Sequence, residues 1–182
     1  YKRQAGDTVV LDNAELAAGA LTATASLGDL SVKDAVITAT KDGVTLTAEA
    51  ADIDASSAKL TVKDELTLTA QQSITATDAN VTSNSLTMTA NTGSVEASRL
   101  TATVADQASV EAGNSVTLDS SKLGLGALTA SAKSSDLSLT SAEIEVSGAA
   151  ELTAQDTITA TDANVTSDSL TMTCLLYTSD AA

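Results

Sequence analysis

Carboxylates are the side chains in this sequence whose type and spacing could do chemistry. Two carboxyl groups held at a defined separation in a cleft hydrolyse glycosidic bonds, and clustered carboxylates bind calcium. Aspartate is also favoured in turns for its own hydrogen bonding, and the glycine-rich calcium nonapeptide is absent. We therefore interpret these acids as solvated turn and face residues, and we predict no catalytic residue, metal site or cofactor. The candidates are Asp52, Asp54, Asp78, Glu143, Glu145 and Asp162.

Other catalytic arrangements lack the residues they need. The chain has no histidine and a single cysteine, Cys174, so no nucleophile can be paired with a histidine base. The stretch "LGLGAL" at residues 123–128 has two glycines, but not the spacing of a dinucleotide-binding loop. The sequence therefore predicts a protein that is not an enzyme.

Charge and composition limit both the partners and the core. The 24 Asp and Glu outnumber the nine Lys and Arg, for a formal net charge of −15. This balance excludes nucleic acid as a partner, because phosphate contacts need a basic surface. No apolar run approaches the roughly 18 residues that a membrane-spanning helix needs. Phe, Trp and Pro are absent, so aliphatic side chains and alanine must build the core, which suits a thin, extended one.

A repeated segment indicates which elements position these side chains. The stretch "ITATDANVTSNSLTMT" at residues 74–89 recurs at residues 158–173 with one change, from Asn84 to Asp168. The offset from Ile74 to Ile158 is four times 21, and a fixed period of this size indicates a repeat architecture. A large aliphatic residue recurs at each 21-residue step, which predicts a buried core column. Its members are Leu11, Val32, Ile53, Ile74, Val95, Val116, Leu137 and Ile158.

Two further columns follow at offsets of seven and twelve positions. The third is imperfect because it contains Glu65 and Gln107, and the nearby Leu66, Val110 and Leu152 indicate local slips of one to three positions. The second column comprises Ala18, Ala39, Leu60, Val81, Ala102, Leu123, Ile144 and Val165. The third comprises Ala23, Val44, Glu65, Leu86, Gln107, Leu128, Ala149 and Leu170.

The local pattern within each period predicts strands. Apolar and hydroxyl residues alternate in segments such as "SLTMT", which is typical of half-buried strands rather than helices. A chain that returns to the same column in each period predicts an all-β fold, a right-handed parallel β-helix. This would be a three-sided solenoid of about eight 21-residue coils, roughly 35–40 Å long. An antiparallel sandwich is the alternative, but it gives no reason for columns that stay in phase, and its turns are roughly 8–12 residues apart.

We expect a single β-helix repeat domain over residues 10–173. Residues 1–9 would be the start of a fragment, since no leader-like sequence opens the chain. Residues 174–182, "CLLYTSDAA", break the pattern and resemble the translated adapter read-through that ends many metagenomic reading frames; a natural capping segment is the alternative. Cys174 and Tyr177 are accordingly not expected to have a function.

Outward threonines recur on the third strand of five of the predicted coils. Arrays of Thr-x-Thr pairs on a flat β-solenoid resemble the ice-binding proteins of insects and microbes, and this resemblance implies a ligand array that binds ice. The array is interrupted near residues 108–110 and 150–152, and threonine also favours exposed strand positions that have no function. Its members are Thr45, Thr47, Thr67, Thr69, Thr87, Thr89, Thr129, Ser131, Thr171 and Thr173.

Two asparagines match the acceptor pattern for N-glycosylation. Asn80 and Asn164 each begin an Asn-Val-Thr triplet. The alternative is that each occupies a turn position where a left-handed residue is required.

The repeat as a whole resembles a known family. A 21-residue coil with "SVEA", "SVTL" and "ELTA" segments and almost no aromatics resembles the repeat region of filamentous-haemagglutinin-like exoproteins of two-partner secretion systems. These include adhesins and the stalks of contact-dependent inhibition toxins, and autotransporter passenger domains look similar.

The resemblance implies a function and a location. It implies a structural and adhesive segment of a large bacterial protein, secreted or at the cell surface, that presents binding surfaces or a distal domain. The implied partners are host-cell or surface glycans and proteins, and an outer-membrane secretion partner for the whole protein. A polysaccharide-degrading β-helix enzyme is the alternative; an inserted loop forming a cleft would favour it. An ice-binding solenoid is the third interpretation.

Overall fold

Aliphatic and hydroxyl residues alternate along short strands, because one side of each strand faces the core and the other faces solvent. The structure, a computed structural model, describes residues 2–175. Its strands pair in parallel with the strand one coil away, as the repeat predicts. No helix occurs in the described range, and so none there could cross a membrane.

Three kinds of strand follow one another along the chain and form three faces. The first face is an eight-stranded sheet. It consists of β2 (Val9–Val10), β5 (Leu30–Ser31), β8 (Ile53–Asp54), β11 (Ile74–Thr75), β14 (Val95–Glu96), β16 (Val116–Thr117), β18 (Leu137–Ser138) and β21 (Ile158–Thr159). We number the coils from these strands, so coil 1 begins at β2 and coil 8 begins at β21.

The second and third faces form one 15-stranded sheet, because β15 (Thr101–Ala112) and β17 (Lys122–Ala132) each run across both faces. The other strands of the second face are β3 (Glu15–Ala18), β6 (Val36–Ala39), β9 (Lys59–Val62), β12 (Asn80–Ser83), β19 (Glu143–Val146) and β22 (Asn164–Thr166). Those of the third face are β1 (Lys2–Ala5), β4 (Leu21–Ala25), β7 (Val44–Ala48), β10 (Glu65–Ala70), β13 (Ser85–Ala90), β20 (Ala149–Ala154) and β23 (Ser169–Cys174). The solenoid thus begins before the predicted boundary at residue 10 and includes Cys174, while residues 176–182, with Tyr177, lie outside the described residues.

The predicted first column is buried except at its end, but two of its members belong to a neighbouring column. Val9 and Leu30, not Leu11 and Val32, lie in line with Ile53. The cause is coil 2, from Leu30 to Ile53, which is longer than the 21-residue period because its turn before β7 is longer. Leu11 and Val32 remain buried two positions further on, and only Ile158, in the last coil, is half-buried.

The same long turn shifts the second column. Leu16 and Ile37, not Ala18 and Ala39, lie in line with Leu60. From Leu60 onward the predicted second column is correct, through Val81, Ala102, Leu123, Ile144 and Val165.

From Val44 onward the third column alternates between two spacings, which the uniform 21-residue step could not predict. The step from Val44 to Leu66 is one position longer than that period, and the step from Leu66 to Leu86 is one position shorter. The next two steps, through Ala108 to Leu128, are again long and then short. The structural unit is therefore a pair of coils, one long and one short in this column, and the four coils between the start of one copy of the repeated segment and the start of the other make two such units.

The third column is corrected at four positions. The alternation puts Leu66, Ala108 and Ala150 where the sequence indicated Glu65, Gln107 and Ala149, and the longer turn of coil 2 puts Leu21 where it indicated Ala23. The predicted slip to Leu66 is confirmed. Val110 and Leu152 instead belong to the next inward column, opposite Met88 and Met172 respectively.

One corner of every coil contains a residue with left-handed backbone. Each of these residues lies four positions after the first inward residue of its coil, and the turn is closed by a bond such as Ala79 N to Ala76 O at 3.3 Å. A left-handed backbone is unfavourable for residues other than glycine, and least unfavourable for Asn and Asp. The eight residues are Asn13, Asp34, Ser57, Asp78, Arg99, Ser120, Ser141 and Asp162, with φ between 53° and 60°.

Candidate binding faces

Four of the six candidate catalytic acids are hydrogen-bond acceptors or ion-pair partners: Asp52, Asp54, Asp78 and Glu143. Asp52 Oδ1 accepts a hydrogen bond from Ser73 N at 2.6 Å, and Asp54 Oδ1 accepts one from Ser56 N at 2.9 Å. Asp162 is exposed at its corner of coil 8. A carboxylate that accepts a backbone N–H has less freedom to act as an acid or a nucleophile.

Asp78 forms a two-pronged ion pair across one coil step. Arg99 Nε and Nη2 donate to Asp78 Oδ1 and Oδ2, each at 2.6 Å. These hydrogen bonds hold the pKa of Asp78 below its ordinary value and raise the pKa of Arg99. Both residues occupy the left-handed corner position, so the pair joins successive corners.

Glu143 and Glu145 lie on the outer side of β19. Lys122 Nζ donates to Glu143 Oε2 at 3.0 Å, and this bond, together with the charge of Glu145, raises the pKa of Lys122. Glu145 is exposed. Among the described residues, no three histidine, cysteine or acidic side chains are placed to hold a metal ion.

A column of capping side chains was missed in the sequence. Just before several first-face strands, an Asp or Ser oxygen accepts the backbone N–H of the equivalent residue one coil on. Asp29 accepts from Asp52, Asp52 from Ser73, and Ser73 from Ser94. Asp136 accepts from Thr157 at 3.0 Å in the same way. The signal was available, since the position before the first inward residue of every coil is Asp, Ser or Thr.

The predicted threonine array is regular over half of the third face. Thr45, Thr67 and Thr87 lie opposite one another, as do Thr47, Thr69 and Thr89. Thr22 and Thr24, which the sequence analysis did not include, extend both rows to coil 1. Four consecutive coils therefore carry a Thr-x-Thr pair.

Beyond coil 4 the rows are interrupted near the predicted positions. Coil 5 carries Ser109 and Glu111, and coil 7 carries Glu151 and Thr153. Coil 6 carries Thr129 with Ser131, and the pair of coil 8 is Thr171 with Thr173. Glu111 also forms an ion pair with Lys133, so charge replaces hydroxyl groups in this half.

Asn80 and Asn164 are both exposed at the first positions of β12 and β22. Asp78 and Asp162, two positions earlier, have the left-handed backbone. The interpretation of the two asparagines as left-handed turn residues is therefore wrong, and the N-glycosylation pattern stays a prediction on an exposed strand.

A groove on the second face was also missed in the sequence. A depression of about 480 Å³ is lined by Thr38, Thr61, Thr82 and Thr103. A smaller one of about 140 Å³ shares Thr103 and continues past Gly124. A third, of about 350 Å³, shares Gly124 and continues along coils 6–8. The three depressions follow a single outward column along the axis of the solenoid.

Comparison with known proteins gives no match: no family model fits the chain, and no curated protein or solved structure is similar to it.

Proposed function

We propose that this chain is a structural and adhesive segment of a large bacterial protein that is secreted or held at the cell surface. In this function it is a rod that presents binding surfaces along its faces or a distal domain at its tip. The observation that supports the proposal is the continuous ladder of hydrogen bonds from coil to coil. Strands bond on all three faces, and corners add further bonds, such as Asp78 N to Ser98 O at 3.0 Å.

A ladder of this kind suits a spacer for physical reasons. Each coil contacts only its neighbours, so stability accumulates coil by coil, and each coil adds about 4.8 Å of length. The excess of acidic over basic residues keeps neighbouring rods apart on a crowded surface. The resemblance to filamentous-haemagglutinin-like repeats supports the secreted or surface location, together with host-cell or surface glycans and proteins and an outer-membrane secretion partner.

The spacer function can be tested by lengthening the rod with its own sequence. A second copy of residues 90–173 inserted after Thr173 preserves the junction, since that block follows an almost identical coil in both places. With one end anchored on a surface and a fluorophore at the other, the four added coils should raise the fluorophore by about 19 Å. An unchanged height would contradict the spacer function.

The adhesive function needs a separate measurement. Beads coated with the chain at increasing density should bind epithelial cells or a bacterial surface, with a steep dependence on density, because many weak contacts act together. Beads coated at the same densities with an unrelated acidic protein are the control. Binding no greater than this control at the highest density would contradict adhesion.

Ice binding is a second candidate function, favoured by the four consecutive Thr-x-Thr pairs of the third face. The measurement is inhibition of ice recrystallisation. Thr87→Lys interrupts the array and should abolish inhibition, whereas Thr82→Lys, on the second face of the same coil, should leave it intact. Absence of inhibition by the unaltered chain would rule this candidate out.

A further inference from the structure

The second-face groove crosses the strands and runs parallel to the solenoid axis. Its floor is formed by equivalent residues of successive coils, each opposite the next in the strand register. The floor residues are Thr38, Thr61, Thr82, Thr103, Gly124, Glu145 and Thr166. At about 4.8 Å per coil, the six steps from the first to the last of them extend over about 29 Å.

The floor offers hydroxyl and methyl groups that the protein does not use. No hydrogen bond joins the hydroxyls of Thr38, Thr61, Thr82 and Thr103 to any other described residue. Gly124 widens the groove, because a Cβ added there would have no atom within 4 Å. Over coils 2–5 a ligand lying here would meet one threonine hydroxyl and one methyl group per coil, followed by an open position at coil 6 and the Glu145 carboxylate at coil 7.

The charges of the groove are balanced, in contrast to those of the whole chain. Its lining includes two basic residues, Lys63 and Lys122, and two acidic ones, Glu143 and Glu145. The whole chain, in contrast, carries a net charge of −15. Because Lys122 is paired with Glu143, little free positive charge is left for a polyanion. The groove therefore suits an uncharged ligand.

The shape of the groove also distinguishes between classes of polymer. An extended peptide binds a sheet through backbone hydrogen bonds at an edge strand. The groove instead crosses strands whose amides and carbonyls already bond to neighbouring coils, so it offers a peptide only side-chain contacts. A chain with hydroxyl groups and apolar CH faces in regular alternation fits it better.

We propose that the second-face groove binds a neutral linear polysaccharide that lies parallel to the solenoid axis. An extended β-linked glucan advances per sugar by a distance close to the spacing of the coils, so successive sugars meet successive threonines. This inference deepens the adhesive part of the proposed function, on which it rests, by naming the ligand class. It is independent of the spacer function.

The test uses cellohexaose as the probe, with binding to the full chain measured by calorimetry or NMR. Thr82→Lys places a long charged side chain in the groove, and Gly124→Gln fills its open position, where an added Cβ meets no other atom. Each should weaken binding at least about tenfold, the effect of losing about 1.4 kcal/mol. Thr87→Lys is the matched control, since it makes the same change on the third face of coil 4, and it should bind as the unaltered chain does.

Other outcomes would overturn the assignment. These are no binding of cellohexaose or of mannohexaose at millimolar concentration, equal weakening by Thr87→Lys, or preferential binding of heparin, a polyanion. Melting curves by circular dichroism check that each variant is folded. If coated beads adhere to cells while neither neutral oligosaccharide binds, the adhesive function stands and the groove assignment fails. If an oligosaccharide binds but the beads adhere to no cell, the groove assignment stands and the adhesive function fails.

Discussion

The duplicated coil allows one substitution to be compared in two environments. Leu86 and Leu170 occupy the same position of the repeated segment, but coil 5 covers Leu86 and no described coil covers Leu170. Leu86 is 2% exposed and Leu170 is 45% exposed. Replacing each by alanine therefore changes the same side chain in the same local sequence, with and without a covering coil.

The expected magnitudes follow from these exposures. Leu86→Ala removes a fully buried side chain and leaves a closed cavity, which costs about 2–5 kcal/mol. Leu170 hides only about half of its surface, and no closed cavity forms. Since complete burial of a leucine contributes about 1.5–3 kcal/mol, Leu170→Ala should cost about 1 kcal/mol. We expect a difference of about 2 kcal/mol between the two variants.

The assay is equilibrium unfolding in urea, followed by far-ultraviolet circular dichroism, with thermal melting as a second readout. For a chain of this length, 1 kcal/mol corresponds to about 2–4 °C in Tm, so Leu86→Ala should melt several degrees below Leu170→Ala. The double variant should lose the sum of the two effects, because the sites are far apart. Equal losses for the two single variants would refute the conclusion that coil 5 covers Leu86 while no described coil covers Leu170.

Three further predictions concern corners and the core. Gly126→Ala should destabilise the fold by about 1–3 kcal/mol, because an added Cβ would overlap the carbonyl oxygens of two residues in the neighbouring coil. Gly124→Ala, where space is open, should be neutral or stabilising by about 0.5 kcal/mol. Equal free energies of unfolding for the two variants in urea would contradict this. Ser83 is buried and its hydroxyl has no partner, so Ser83→Val should raise the free energy of unfolding by about 1–2 kcal/mol, and a lower melting temperature would show that the site has no room. Because Arg99 lowers the pKa of Asp78, the pair stabilises the fold above the ordinary carboxyl pKa of about 3.9, and this contribution is lost as the pH falls through the lower pKa of the folded state. Arg99→Gln should therefore raise the pKa of Asp78 in an NMR titration. An unchanged pKa would mean that the ion pair does not persist in solution.

The sequence predicts the architecture well because inward positions must be apolar in every coil. Ile74, Val95 and Val116 fall at a constant spacing, and only a returning coil explains that. The local errors arise where turns change length. Because the turn before β7 is longer, Leu11 and Val32 precede Ile53 by whole multiples of 21 positions and yet lie in a different column. No aliphatic pattern reports such an insertion, since both columns are apolar.

The alternating register was hidden for a similar reason. An extra residue at the corner before Leu66 is compensated at the next corner, so the first column keeps its period while the third does not. Gln107 in place of an aliphatic residue was the visible sign of this. The second-face groove could not be predicted, because it depends on the unpaired hydroxyls of four threonines and on the missing side chain of Gly124, which are properties of the assembled face.

The central claim is a stack of parallel coils whose third-face steps, from coil 2 onward, are alternately longer and shorter than the 21-residue period, and disulfide cross-linking tests it most directly. In a Cys174→Ser background, the cysteine pairs Thr67→Cys with Thr87→Cys, and Thr87→Cys with Ser109→Cys, occupy directly opposed positions. Opposed residues on neighbouring strands lie about 4.8 Å apart, within the Cα separation of a disulfide. Both pairs should oxidise within the monomer, as seen by mass spectrometry. The pair Thr67→Cys with Met88→Cys, which a uniform 21-residue step would oppose, has its side chains on opposite sides of the sheet and should stay reduced. Efficient oxidation of that pair, with the other two reduced, would contradict the fold described above.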